Sequence, residues 1–386
     1  MCSPENNSIS LVSLLLAFTV CMQNPVWIFW NGGVLLGYFS VFLLYLVKRK
    51  NLRYYFDIYA FILLSFMLLV FIFIPAIYTF RISSLFIVLS YFLALSIDCC
   101  EGKKALDIIT KFLYWVILIS LPPWLIHLYG YEFPLFNQLD LSEMKGSTYI
   151  YNNYILFLTV DGLDFFRFYS LFDEPGVLGT LSSFILYGNR YDFKKKENVV
   201  ILIGCLFTYS MAFYVITLLG WLYQSTRSFK KFVLTSGVII LLVQVSLYLM
   251  IDDQAFQQSV VERFSDIGLN QVERRSGSYL NVFWDKFVVS NDFLFGMGTS
   301  FITENIWDIG CSYKTFVIEY GLLGTVLLIM MYIHLVKRWN YLIFGFVVLF
   351  FLSFLQRPYA FTSWQIFVFV VVISNLYIDP FAKRNV

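Results

Sequence analysis

Arg167, Arg263, Arg274 and Arg275, with Asp173, Glu174 and Glu319, stand out because each sits among aromatic or apolar neighbours. Arg167 lies in Asp161-Gly-Leu-Asp-Phe-Phe-Arg167-Phe-Tyr-Ser-Leu-Phe-Asp173-Glu174-Pro175-Gly176, where two carboxylates precede a proline suited to the first turn of a helix. Arg263 follows in Val-Glu-Arg263-Phe-Ser, and the pair in Gln-Val-Glu-Arg274-Arg275-Ser-Gly-Ser-Tyr279. Glu319 opens Glu319-Tyr320-Gly321-Leu-Leu-Gly324. Guanidinium forks hold phosphate oxygens bidentately, and a positioned carboxylate accepts a proton. These types together point to an anionic group such as a pyrophosphate, with a carboxylate moving a proton or orienting an arginine. Plainer roles stand beside this one. Asp173 and Glu174 would cap a helix dipole, the arginines would snorkel from a surface helix, and Glu319 would pair with Lys314 or an arginine. An ionisable group at membrane depth is by default a functional hypothesis. The spacing of Gly321 and Gly324 suggests close helix packing.

The elements that must carry these residues are set by hydropathy. The 386 residues are 59% hydrophobic and 13% charged, with 43 Phe and 27 Tyr, and the mean hydropathy is +0.73. A soluble domain is about a quarter charged and cannot expose that much apolar surface. The solvent is therefore lipid, and the chain reads as an all-α polytopic membrane protein forming a single integral-membrane domain over 1–386. Charge-free runs cover Asn6 to Val47, Ile58 to Phe80, Ile82 to Ile97, Phe112 to Tyr131, Pro175 to Asn189, Asn198 to Thr226, Phe232 to Ile251, Tyr320 to Val336, Trp339 to Gln356 and Pro358 to Ile378. A crossing needs about 20 such residues. The first run is long enough for two, turning at Asn24-Pro25. Nothing basic precedes it, so no cleavable signal peptide is expected.

Lys48, Arg49, Lys50, Lys103, Lys104, Arg190, Lys194, Arg227, Lys230, Lys337 and Lys383 fall in loops that the positive-inside rule assigns to the cytoplasm. Both termini are then cytoplasmic, and about 12 transmembrane helices result if Asn198 to Tyr223 forms two short helices broken near Thr208–Ser210. Two large outer loops remain, 131–174 and 252–314, too long for connectors and too aromatic for disorder. Amphipathic helices are expected there; apolar residues at 272, 279, 280, 283, 287 and 288 have helical spacing. The net charge of +2 and the absence of metal-ligand or nucleotide-loop spacing imply no cofactor, no bound metal and no nucleic acid. The six cysteines suggest no disulfide framework.

The Arg167–Gly176 segment resembles the first outer-loop motif of bacterial O-antigen and exopolysaccharide polymerases of the Wzy type. Arg263-Phe-Ser, Arg274-Arg275, Tyr279, Trp284 and Phe295-Gly296-Met-Gly298 are similar to their second outer loop, and Glu319-Tyr-Gly-Leu-Leu-Gly324 to the motif opening the next span. The chain departs from related ligases in having Gly310 where they often carry a histidine, and from many members in having Ser210-Met211 where they have Ser-Arg.

The resemblance implies a GT-C-like, metal-independent glycosyltransferase of the inner membrane, with its active site facing the periplasm. It would move a growing glycan from one undecaprenyl pyrophosphate onto the distal sugar of another lipid-linked oligosaccharide, with a chain-length regulator as a further partner. In that scheme Arg167, Glu174, Arg274 and Glu319 are catalytic, and Asp173, Arg263, Arg275, Tyr279, Trp284 and Tyr313 bind substrate. A flippase for the same lipid-linked unit and an O-antigen ligase are the alternatives.

Overall fold

A computed structural model describes residues 10–23, 30–52, 57–76, 81–140, 150–160, 167–228, 230, 232–234, 236–237, 278–299, 301–305 and 312–377. The N-terminal half runs through α1 (Leu11–Gln23), α2 (Trp30–Leu52), α3 (Ile58–Leu68), α4 (Ile82–Leu95) and α5 (Cys99–Leu128). Asp57 caps α3 by accepting from the Ala60 N–H at 2.7 Å. α3 continues through a π-turn, Leu69–Phe73, in which the Ile74 N–H reaches back to the Leu69 carbonyl. Pro75 explains the slip, since it offers no N–H to the turn before it.

Next come three short strands, β1 (Asn137–Asp140), β2 (Ile150–Asn153) and β3 (Leu158–Val160), then α6 (Pro175–Gly188), α7 (Lys196–Leu206) and α8 (Met211–Ser225). The remainder holds α9 (Ser278–Phe287), α10 (Phe301–Asn305), α11 (Tyr313–Leu335), α12 (Tyr341–Gln356) and α13 (Ser363–Leu376).

α6 and α13 form the centre. Every residue of α6 is buried, as is every residue of α13 except Asn375, the expected state of a helix that is apolar all round. Gly, Ser and Thr let neighbours approach closely. A Cβ on Gly179 would lie 2.8 Å from Ser210, and one on Gly188 3.3 Å from Val372.

The outer faces are apolar as well. Leu35 is 69% exposed and Phe73 63%, and Phe39, Phe61, Trp115 and Phe344 lie open beside them in character. Gly32–Lys50, Cys99–Leu128 and Tyr313–Leu335 are long and apolar enough to cross a membrane, and several shorter apolar helices accompany them. The chain is a mostly helical bundle with the surface of a helical membrane protein.

Among the described residues, the charged side chains make their contacts at the two ends of the helices. At one end Lys48 pairs with Glu101 at 2.6 Å and donates to the Ser96 carbonyl, Lys337 donates to Ile97 and Arg190 to Asn375. Arg227 stacks over Tyr341. The opposite ends of α4, α6, α11, α12 and α13 carry Arg81, Glu174, Glu319, Arg357 and Ser363.

Two expectations need correction. The first outer loop contains a sheet among its described residues rather than an amphipathic helix, so the fold is not wholly α. β1, β2 and β3 pair antiparallel in sequence order, with Asn137 opposite Asn153 and Tyr151 opposite Val160. Side-chain amides reinforce the first pair, Gln138 to Asn152 at 2.8 Å and Asn153 to Asn137. Cys100 is disulfide-bonded, while Cys21, Cys99 and Cys205 are free, so its partner lies outside the described residues.

The break between α7 and α8 falls where the sequence places it. Ser210 caps α8 through the Phe213 N–H, and Tyr209 has φ +46°. The Phe207 carbonyl accepts from Phe168, and Gln224 at the far end of α8 donates to Tyr187. The chain therefore turns back at the level of Arg167 and returns to the other end of the bundle.

Candidate functional site

The site is built around a discontinuity in α11. Gly321 has φ +69° and ψ −177°, a conformation open only to glycine. The helix ladder is broken there, and the Phe295–Gly298 segment takes its place. The Met297 N–H donates to the Ile318 carbonyl at 2.7 Å, Gly298 to Glu319 at 3.2 Å, and Leu323 to Leu294 at 3.1 Å. The approach is too tight for side chains. A Cβ on Gly296 would stand 2.5 Å from the Glu319 carbonyl oxygen, and one on Gly321 would strike the Leu294 carbonyl oxygen. Gly321 therefore breaks the helix rather than smoothing its packing. Gly324 does pack, against Tyr320 and Phe71.

Glu319 is thus fixed by backbone bonds on a half-helix, with its carboxylate free to be aimed. It meets Arg81 from the start of α4, Nη1 to Oε1 at 3.3 Å, while Arg81 Nη2 donates to the Thr299 carbonyl. The carboxylate is 18% exposed and the guanidinium 37%. The pair lines a cavity of about 500 Å3 that also takes in Gln23 from α1, Tyr38 from α2, and Ser363 and Trp364 from α13.

A second pair stands at the neighbouring turn. Arg357, just before cavity-lining Pro358, bonds through Nη1 to the Glu174 carboxylate and to the Tyr359 hydroxyl at 2.6 Å. Its guanidinium lies against Gly176, where a Cβ would be 2.7 Å from Nη2. Burial works against the charge of Arg357, but Tyr359 and Glu174 outweigh it and hold the group well above the usual arginine range. Both pairs join segments remote in sequence at one end of the bundle. They supply two guanidinium groups and two carboxylates for chemistry on a polar substrate.

The remaining sequence candidates are dispersed. Arg167 braces the α7–α8 break, with Nε donating to Thr208 at 2.9 Å and Nη2 to Tyr209 at 3.0 Å. Asp173 accepts from the Tyr151 hydroxyl through its backbone carbonyl, which ties the small sheet to the start of α6. Trp284 and Tyr313 meet edge to face at 5.7 Å, and Lys314 sits over Trp284 while donating to Asn281. Lys314 is therefore engaged there, and Glu319 turns to Arg81. Tyr279 is 64% exposed on the other side of α9. Arg263, Arg274 and Arg275 lie outside the described residues, as does the stretch 272–277 of the expected amphipathic helix, of which Ser278–Phe287 is helical.

Arg81 and Arg357 escaped the motif reading. A signal for both exists in the sequence: each is the lone charge separating two long apolar runs, 58–80 from 82–97 and 339–356 from 358–378. A charge retained at such a position marks a helix turn at the polar surface or a function.

Fold and site together define a helical membrane protein with paired arginines and carboxylates at one end. Comparison with family models, curated proteins and solved structures finds no match to the chain.

Proposed function

We propose that this chain is an O-antigen polymerase of the bacterial cytoplasmic membrane, working on undecaprenyl-pyrophosphate-linked glycans at the periplasmic face. The acceptor hydroxyl oxygen bonds to the anomeric carbon of the donor glycan. The anomeric C–O bond to the diphosphate breaks, its electron pair leaves with the lipid diphosphate, and the hydroxyl proton passes to a carboxylate. Diphosphate is a good leaving group, so the work is electrostatic stabilisation and proton removal. Holding two lipid-tethered reactants together supplies much of the remainder.

The observation that carries the reading is the Arg81–Glu319 pair on a helix break beside a cavity, with Arg357–Glu174 at the adjoining turn. Glu319 is the base in this scheme, and Arg81 and Arg357 join Arg263, Arg274 and Arg275 in meeting the diphosphate charge. The break at Gly321 also favours a second reading, a flippase, because interrupted helices mark substrate sites in transporters. Against it, the described arginine–carboxylate pairs sit at one end of the helices rather than along a path through them.

A gel of surface polysaccharide from a strain lacking the gene, complemented with wild type or Glu319→Gln, tests the proposal. Collapse of the ladder to core plus one repeat unit, restored by wild type alone, supports a polymerase. Polymer retained on the lipid carrier makes it a ligase, and single units trapped inside make it a flippase.

A further inference from the structure

The hairpin between β2 and β3 turns on apolar residues, Tyr154-Ile155-Leu156-Phe157, where a turn in water favours Gly, Asn or Asp. Ile155 has φ +69°, an outlying conformation for a β-branched side chain. The Leu156 N–H donates to the Tyr154 carbonyl at 2.8 Å, so the bend at Ile155 is a tight three-residue turn. The Ile155 N–H donates to the Asn153 side-chain oxygen at 2.7 Å, and the Tyr154 N–H to the Phe157 carbonyl at 3.1 Å. The donors of all three residues are thus satisfied within the hairpin, as backbone bordering hydrocarbon requires. The side chains at the tip face outward instead, Ile155 at 53% exposure and Leu156 at 40%. Leu135 and Phe136 are exposed next to them, since the Phe136 N–H donates to the Asn153 carbonyl at 2.8 Å. Neither 133–139 nor 150–160 contains a charged residue.

The level of this patch is set by α5. The His127 ring, in the last turn of α5, packs on Tyr154 at 4.9 Å and Phe157 at 5.3 Å, and those two rings stack on each other at 4.8 Å. Trp115, Ile119, Pro122 and Ile126 are exposed at helical spacing, a lipid-facing stripe that ends beside His127. Lys111 is the last charge before the stripe. From there to His127 the helix rises about 24 Å, against a hydrocarbon layer of about 30 Å. His127 and the rings on it therefore lie near the far edge of the hydrocarbon. From this arrangement we infer that the β2–β3 tip, with Leu135 and Phe136, is a lip that inserts into the bilayer interface where the α5 stripe ends. Its partner is phospholipid, met at the glycerol backbone and the upper acyl chains. The patch continues a lipid-facing surface, lies at its edge and has its turn donors already bonded, which is what that layer selects for. The Tyr151 hydroxyl donates to the Asp173 carbonyl, so the same hairpin ties the bilayer surface to the residue before Glu174.

Fluorescence quenching of the full chain in lipid nanodiscs tests the lip. In a cysteine-free background, a small fluorophore is attached at Leu156→Cys, and at Lys194→Cys as the exposed reference. Phospholipid carrying a nitroxide high on its acyl chain is expected to quench the label at position 156 and to spare that at 194. Iodide in the water is expected to do the reverse. Adding Ile155→Asp is expected to abolish the lipid quenching at 156 and to open that label to iodide, because a carboxylate resists the hydrocarbon edge. The unsubstituted chain supplies a second measurement: a diazirine phospholipid is expected to leave adducts within 135–136 and 154–157. Iodide quenching at 156 as strong as at 194, or an absence of adducts at the tip, overturns the lip. A label at 156 shielded from both quenchers means that protein covers the tip, and overturns it as well. Lipid quenching that survives Ile155→Asp in a monodisperse protein overturns insertion through the apolar tip.

Discussion

Gly321→Ala is the sharpest perturbation of the site that removes none of its functional side chains. The new methyl group must accept φ +69° with ψ near 180°, where strain for a non-glycine residue is about 2 kcal/mol. It also collides with backbone, the Leu294 carbonyl and the Gly296 nitrogen, which cannot rotate aside as a side-chain tip does. Relief requires the Phe295–Gly298 segment to peel away from α11. That loses the bonds from Met297 to Ile318, Gly298 to Glu319 and Leu323 to Leu294, each about 1 kcal/mol. The total is about 5 kcal/mol, and at roughly 2 °C per kcal/mol the melting temperature in detergent falls by about 10 °C. Glu319 loses its fixed position at the same time, so the polysaccharide ladder collapses even where the protein remains in the membrane. Gly32→Ala, where no atom lies within 4 Å of the new Cβ, is the control and is expected to be neutral or slightly stabilising. A Gly321→Ala protein that melts within 2 °C of wild type and makes a full ladder would refute the argument.

Three further outcomes follow from the geometry. Glu174→Ala or Arg357→Ala strands a largely buried charge and is expected to cost about 3–5 kcal/mol; the double variant Glu174→Leu/Arg357→Met is expected to unfold later than either, and earlier unfolding of the double contradicts the pairing. Arg167→Ala removes two bonds to the carbonyls of the α7–α8 break and is expected to cost about 3 kcal/mol; a normal melting temperature with a collapsed ladder would instead assign Arg167 to substrate. In a cysteine-free background, Tyr129→Cys, at a position 93% exposed, is expected to react with an impermeant maleimide from outside the cytoplasmic membrane, whereas Lys194→Cys reacts only after permeabilisation. The reverse pattern overturns the orientation.

Much of the architecture is legible because charge is costly in lipid. The run Pro175 to Asn189 matches the helix Pro175–Gly188, and Ile82 to Ile97 matches Ile82–Leu95. Where helices carry charge within their length, the rule falls short. α5 begins at Cys99 and α11 at Tyr313, well before their charge-free runs, because Glu101, Lys103 and Glu319 belong to the helices themselves. The sheet is hidden because strands of three or four residues are too short to show alternation. The site is legible in part: the sequence marks Glu174 and Glu319 but not their partners, since those pairings span 183 and 238 positions and leave no local pattern. Likewise the two glycine motifs, 295–298 and 319–324, read as separate signals until the backbone bonds between them are seen.

Those long separations also impose an order on biogenesis. At roughly 5–20 residues per second, Arg81 is synthesised roughly 10–50 s before Glu319, and Glu174 likewise waits for Arg357. In that interval each lone ion must stay hydrated at the bilayer edge or be shielded by the insertion machinery. The last helices made are the ones that complete both pairs, so a truncated chain ending before α11 retains two unneutralised charges. Until those helices are made, each lone ion is an ionisable group at the membrane edge without the partner it has in the folded chain.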